Sequence, residues 1–476
     1  MTSKRRRVLL ILLIMTTCAL GGTLLVRSPN TIQIEAAQSP IPRYIFIFLA
    51  DGAGISHLEL TRMYSRQIHK EEFVITDRIM REGVVGFLTT HNADGFTTDS
   101  AAAGTAMALG CKAHRGVIGI CADGSKPKSV LRVAREKGMR IGIATDATVY
   151  DASPAAFVSQ ARRRKFYREI VNQYLALEPD LLMGGGRNLF ETARRGKKNM
   201  LSLFLDRGYA YVSNLHELSE AKGPKVLGLF APRDMSYEID RDKSEEPSIY
   251  DMTKAAIRVL ERDLSKGFTV FLETEQPDEA SHRNDAGSVI HALREFDRAV
   301  ALAYQFYKRH PRETLVLVTS DHETGGLGVT TTLRERAERY RTGKRVTPAV
   351  EHLRKIQSIS VSIEKAVEIL GREPTSDALD SLMAEHFKGF SLAPELRAAI
   401  LDKNTTDRRL SSRITARSLG QMVAHHTMVY WTTLAHTAQP VFVGALGVGA
   451  DRFRGYQDNT DFAKHLFTLL GGKELP

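Results

Sequence analysis

Tyr44-Ile45-Phe46-Ile47-Phe48-Leu49-Ala50 is an unbroken apolar run that ends in a carboxylate and a turn, Asp51-Gly52-Ala53-Gly54. A short apolar segment bounded by turn residues reads as a strand buried on both faces, the kind found in parallel sheets. Segments of the same kind recur at 141–144, 181–183, 269–272, 315–319 and 441–444. Helical patterns separate them, most clearly where Val289, Leu293, Phe296, Val300 and Ala303 fall at helical spacing. This alternation predicts an α/β fold in which a large, mostly parallel sheet is sandwiched between helices. From about residue 333 to about 429 the chain becomes rich in Arg, Lys and Glu, keeps helical periodicity and offers no clear strand, which predicts a helical insertion over the sheet.

Composition narrows the class without choosing a function. With 43% hydrophobic and 25% charged residues, the 476-residue chain cannot be read as disordered, and it is long enough for one large α/β domain over 44–476. Its formal charge of +11 suits anionic ligands in general, from phosphate esters to nucleic acid and anionic lipid. No stretch interleaves aromatic and basic residues in the manner of a nucleic-acid-binding module, so no dedicated nucleic-acid partner is expected.

Lys4, Arg5, Arg6 and Arg7 precede an apolar stretch at 8–26. That layout predicts export, to the periplasm or otherwise outside the cytoplasm, with residues 1–27 serving as a cleaved signal peptide or as a membrane anchor. Ala36 and Ala37 offer a weak cleavage site, Cys18 lies in a poor context for lipidation, and 28–43, with Pro29, Pro40 and Pro42, reads as a linker. Outside the cytoplasm, the remaining cysteines, Cys111 and Cys121, are expected to form a disulfide.

In open α/β sheets, ligands bind beyond the carboxyl ends of the strands. Asp51 follows the first run, Glu273 follows 269–272, Asp321 and His322 follow 315–319, and Asp151-Ala152-Ser153-Pro154 comes soon after 141–144. One such acid is an ordinary turn or helix-cap residue. Several acids brought to one edge repel one another strongly unless a cation lies among them, and imidazole mixed with carboxylate favours zinc or a similar ion. Thr97-Thr98-Asp99-Ser100 precedes the helix formers Ala101-Ala102-Ala103, which puts Ser100 at a helix N-terminus where N–H groups favour an alkoxide or a phosphate.

With Asp-Ser-Ala beside the strand-end acids, the sequence from Tyr44 onward resembles the alkaline phosphatase family, its motifs falling in the family's order. The resemblance implies that Asp51 bridges two metals and that Ser100 is the nucleophile that becomes phosphorylated. It makes Ser153 a magnesium ligand, gives Asp151 a water-mediated contact with that metal, and assigns phosphate binding to Arg164, with Arg162 and Arg163 as rivals. Glu273, Asp278 and His282 fit the family's Glu-x4-Asp-x3-His spacing, for the magnesium glutamate and two ligands of one zinc. Asp321-His322 resembles the ligand pair of the other zinc. His436, in Trp431-Thr432-Thr433-Leu434-Ala435-His436-Thr437, resembles the last histidine of the first, with His425 and His426 as rivals.

The segment Leu272-Glu273-Thr274-Glu275-Gln276-Pro277-Asp278 departs from the family's usual words and leaves Glu275 as a rival for the magnesium carboxylate. What the resemblance implies is hydrolysis of small phosphomonoesters with two zinc ions and one magnesium ion, and it is compatible with a homodimer. The alternatives are a phosphodiesterase or related hydrolase on the same metal scaffold, or an inactive phosphate-binding relative.

Overall fold

The computed structural model describes residues 41–193, 198–344, 346–402 and 407–471. The signal or anchor segment, Cys18 and most of the linker lie outside them. The strands are β1 (Tyr44–Ala50), β2 (Val84–Leu88), β3 (Arg140–Thr148), β4 (Leu181–Gly185), β5 (Ala210–Val212), β6 (Val226–Leu229), β7 (Phe268–Thr274), β8 (Thr314–Thr319), β9 (Glu323–Thr324), β10 (Leu327–Val329), β11 (Val429–Trp431), β12 (His436–Thr437), β13 (Val441–Gly447) and β14 (Gly455–Gln457).

Ten of them form one sheet in the order β14-β2-β13-β8-β1-β7-β3-β4-β6-β5. Only β13 opposes its neighbours, pairing antiparallel with β2 and β8, whereas the other recorded pairings of this sheet are parallel. The sheet is thus large and mostly parallel, as the apolar runs predict.

β1 lies near its middle, between β8 and β7. Alternation of side chains along a strand sends Ile45, Ile47 and Leu49 into the core on one face and Tyr44, Phe46, Phe48 and Ala50 into the core on the other. Both faces are therefore dry, which is why the run carries no polar residue. The helix Ala286–Arg309 covers the second face, burying Val289, Leu293, Phe296, Val300 and Ala303, with Phe296 edge-on to Phe48 at 5.6 Å between ring centres.

Helices span Leu333–Thr342, Val350–Ile356, Ile363–Leu370, Ser376–His386, Pro394–Leu401 and Arg408–Thr427. Leu353, Ile356, Ile363, Leu379, Leu419 and Val423 bury a third apolar cluster there, to which Leu60 and Ile290 also belong. The small β10–β11 pair flanks this region. Among the described residues no helix is long and apolar enough to cross a membrane.

Candidate active site

Three neighbouring central strands end at one edge. Asp51 follows β1, Ser320-Asp321-His322 follows β8, and Glu273 stands on β7 in register with Leu49 of β1 and Thr145 of β3. The turn after β1 depends on Gly52, whose φ of 70° lies in the left-handed region that favours glycine. A Cβ there would lie 2.6 Å from the Cα and Oδ1 of Asp278, so the glycine also lets the helix Gln276–Ser281 bring Asp278 against the turn.

Ser100 is the first residue of the helix Ser100–Leu109, capped by Asp99, whose carboxylate accepts from Ala102 N. The Ser100 hydroxyl lies 3.3 Å from Nε2 of His322. That nitrogen is also 3.5 Å from Asp51 Oδ1 and 3.3 Å from Asp321 Oδ2. These two carboxylate oxygens are buried without a hydrogen-bond partner. Bare carboxylate oxygens facing an imidazole nitrogen in a dry site are costly unless a cation lies among them, and the donor set of two carboxylates and one imidazole suits a zinc-like ion.

A second cluster adjoins the first. Nε2 of His282 is 3.2 Å from Asp278 Oδ2, and Nε2 of His436 is 3.7 Å from Asp278 Oδ1. The Nδ1 atoms of these histidines meet the carbonyls of Leu434 at 2.7 Å and of Thr98 at 2.8 Å. Backbone acceptors of this kind fix the ring tautomer and leave Nε2 to bind a metal. The His322 ring stacks on His436 with centres 3.8 Å apart, so the two clusters share a wall.

The remaining expected residues fall close by, in arrangements of their own. Ser153 donates to Asp51 Oδ2 at 3.1 Å. Glu273 is buried and accepts from Thr145 Oγ1 at 2.6 Å, with no recorded hydrogen bond to Ser153. Glu275 groups instead with Asp278 and Glu279 at ligand distance. Arg164 donates to both oxygens of Asp151, at 3.2 and 3.0 Å, and its other nitrogen lies 3.9 Å from Asp99. Arg162 and Arg163 are exposed. His426 is held by Ser391 and Lys355 within the helical region. Cys111 and Cys121 are joined by a disulfide with Cα atoms 5.7 Å apart.

Crowded charge governs protonation here. Burial, and then the charges of Asp321, Asp278 and Glu273, push the Asp51 carboxyl well up. Asp321 is pushed up to about 7, by burial first and Asp278 next. Burial, with His436 adding, holds His322 well below its ordinary value. Burial also opposes charge on Asp278 and His282, but the hydrogen bond between them prevails, lowering the acid and raising His282 to about 9.

Several supporting groups carry little sequence signal. Thr324 donates to Asp278, Thr145 holds Glu273, and Asp146 accepts from Thr274 Oγ1 at 2.6 Å and Glu275 N at 2.7 Å, pinning the turn between Glu273 and Asp278. Buried His57 accepts from Gly54 N and contacts Ser281 Oγ at 3.1 Å. The carbonyls of Thr98 and Leu434 have no signature at all, because every residue has one. Thr324 has the best local clue, standing two residues beyond His322.

The family model for alkaline phosphatase matches residues 42–471. Alkaline phosphatase 4 of Bacillus subtilis (strain 168) is 31% identical over 446 residues, a match spanning 90% of this chain and 88% of that protein. The repressible alkaline phosphatase of Saccharomyces cerevisiae is 28% identical over 524 residues, spanning 98% and 88%. Among solved structures, the alkaline phosphatase of Thermus thermophilus matches with a TM-score of 0.80 at 25% identity, covering 94% of this chain and 96% of that one. The cold-active enzyme of Shewanella sp. matches at 0.74 and 27%, covering 90% and 99%. The chain belongs to the alkaline phosphatase family, a family of phosphoric monoester hydrolases.

Proposed function

We propose that this phosphoric monoester hydrolase works through a phosphoserine at Ser100. The oxygen of Ser100 attacks phosphorus, the ester bond breaks and the alcohol leaves with a proton. Water then attacks the phosphoserine, returning the serine hydroxyl and releasing inorganic phosphate. One observation carries this reading: Ser100 Oγ lies 3.3 Å from His322 Nε2, in the pocket where Asp51 and Asp321 each leave a buried carboxylate oxygen without a partner.

The family is metal-dependent, and the described residues include metal-ligand clusters. We assign one zinc-type ion to Asp51, Asp321 and His322 and a second to Asp278, His282 and His436. A magnesium ion is assigned to Asp51, Ser153 and Glu273, with Asp151 through water. When bound, such ions supply Lewis-acid stabilisation of charge on the attacking and leaving oxygens.

The chain's own groups do the rest. Backbone N–H groups at the start of the Ser100 helix favour negative charge at Oγ and at the phosphoryl oxygens. Arg164 offers a planar pair of donors for two phosphoryl oxygens, and Asp151 and Asp99 hold its guanidinium in place. A monoester carries one more ionisable oxygen than a diester, and this surplus of positive charge suits it.

Export is part of the reading, resting on the basic and apolar N-terminal sequence and on a disulfide of the kind that persists in oxidising compartments. A homodimer is the assembly proposed, to be measured by light scattering. The test of the central claim is Ser100→Ala in metal-replete protein. We expect aryl phosphate turnover to fall by on the order of 10³-fold or more and the acid-stable phosphoenzyme to vanish while bound metal is retained. Full activity without bound metal would overturn it.

A further inference from the structure

Glu323 stands between His322 of the first cluster and Thr324, which donates to Asp278 of the second. Its carboxyl group is buried, yet among the described residues it belongs to neither cluster. The donors it meets are backbone N–H groups and a hydroxyl. Oε1 accepts from Gly326 N at 2.9 Å and Leu327 N at 3.3 Å, and Oε2 accepts from Thr437 Oγ1. His57 Nδ1 lies 3.8 Å from Oε1, but it accepts from Gly54 N and so has no proton to give.

Thr437 directly follows His436, so the Glu323–Thr437 bond joins residues that adjoin one imidazole of each cluster. Their strands, β9 and β12, pair antiparallel over two residues, Thr437 opposite Glu323 and His436 opposite Thr324. So short a ladder holds its register weakly, and a slip of one residue would turn the His436 side chain to the opposite face. The bond between the two side chains fixes that register.

The neighbouring turns converge on the same carboxylate. Gly326, with a φ of 61°, sends the chain back so that its own N–H and that of Leu327 reach Oε1. The turn after β1 leans on the stem of Glu323: a Cβ on Gly54 would lie 2.4 Å from Cγ, and Thr324 N donates to Gly52 O at 3.0 Å. The segments that carry Asp51, His322 and His436 therefore meet at one buried side chain.

We propose that Glu323, acting through Thr437, is a positioning residue for the phosphatase reaction. It sets the place of the His436 ring against the His322 ring, whose centres lie 3.8 Å apart, and so the spacing of the two clusters on either side of the phosphoryl group. This rests on the assignment of those clusters to metal ions. A group that orients a metal ligand without touching the metal is worth about 10–100-fold in affinity or rate, and displacement at phosphorus is sensitive to small misplacements of the groups around it.

The test uses the full chain and two readouts, zinc affinity by competition with a chelating dye and steady-state kinetics on 4-nitrophenyl phosphate. Thr437→Val should weaken zinc binding and lower kcat, each by about tenfold or more, and move KM by less than about threefold. Thr437→Ser, which keeps the hydroxyl, should restore both. Glu323→Ala should lose at least as much, and Glu323→Ala/Thr437→Val no more than Glu323→Ala alone, because the two act through one bond. Should Glu323→Ala fail to fold, the valine and serine variants decide alone. A merely stabilising bond would lower the denaturant midpoint and leave zinc affinity and kcat at wild-type values; that outcome, or serine behaving as valine does, overturns the proposal. Absence of turnover in metal-replete wild type sinks the phosphatase reading itself, and the zinc affinities still test the positioning.

Discussion

His282 and His436 point their Nε2 atoms at each other across 3.2 Å. With both Nδ1 atoms against backbone carbonyls, each neutral ring turns a lone pair toward the other, and Asp278 adds a carboxylate oxygen to each. Two acceptors at that distance are stable only with a proton or a metal ion between them. Against the opposing effect of burial, the Asp278 carboxylate raises His282 to about 9, so that a proton can occupy this position; a divalent ion is the stronger occupant.

The first prediction follows from that pair. Chelation should abolish phosphatase activity and lower Tm, and zinc should restore both. A site filled at a hundred times its Kd adds about 2.7 kcal/mol to stability. His436→Ala should lose one equivalent of tightly bound metal with the fold intact by circular dichroism. A Tm indifferent to zinc would rule the cluster out as a metal site.

Gly52→Ala should be disproportionately damaging for so small a change. The left-handed φ costs on the order of 1–3 kcal/mol, and the new Cβ would press on Asp278. Chemical denaturation should show the stability loss, and metal analysis a weakened Asp278 site with a lower kcat. Metal content and kcat equal to wild type would mean that Asp278 does not depend on this turn.

How much of this could be read from the chain depended on locality. β1, β7 and β8 announce themselves because burial on both faces removes polar residues, and whatever follows such a run lies at the sheet edge by construction. That made Asp51, Asp321 and His322 easy to single out. β2 went unread because Gly86 interrupts it and its burial alternates, while β5 and β14, three residues each, are too short to show a period. β3 runs on past 144 through buried Thr145, Asp146 and Thr148, whose polarity reads as a loop until Thr145 is seen to donate to Glu273, Asp146 to accept from Thr274 Oγ1, and Asp234 to accept from the backbone N of Thr148. Contacts such as Thr98 O to His436 join residues 338 positions apart and leave no local trace.

The protonation pattern sets a pH prediction for the metal-free protein. Asp321, with an ordinary value of 3.8, is raised to about 7 in the fold. A carboxyl with a raised folded value binds its proton more tightly when folded, so its contribution is complete below about pH 4 and is lost as pH rises through about 7. Asp51 moves in the same direction. Denaturation of the chelated protein should therefore show stability falling across that window, and Asp321→Asn should flatten the fall. Bound metal, which takes the deprotonated form, should reverse the slope. Identical pH profiles with and without metal would sink this account.

The last prediction concerns the disulfide, whose loop carries Gly116. Cys111 and Cys121 are 10 residues apart, and the loop between them supplies the N–H that Asp99 accepts and the carbonyl that Arg164 N reaches. Closing a loop of this size restrains the unfolded chain by about 2–3 kcal/mol. Cys111→Ser/Cys121→Ser should lose an amount of that order in denaturant unfolding. Because the loop also steadies Asp99 and the backbone of Arg164, the same variant should raise KM and weaken inhibition by inorganic phosphate more than it lowers kcat. A variant that loses stability but keeps its KM would reduce the bridge to a staple with no part in phosphate binding.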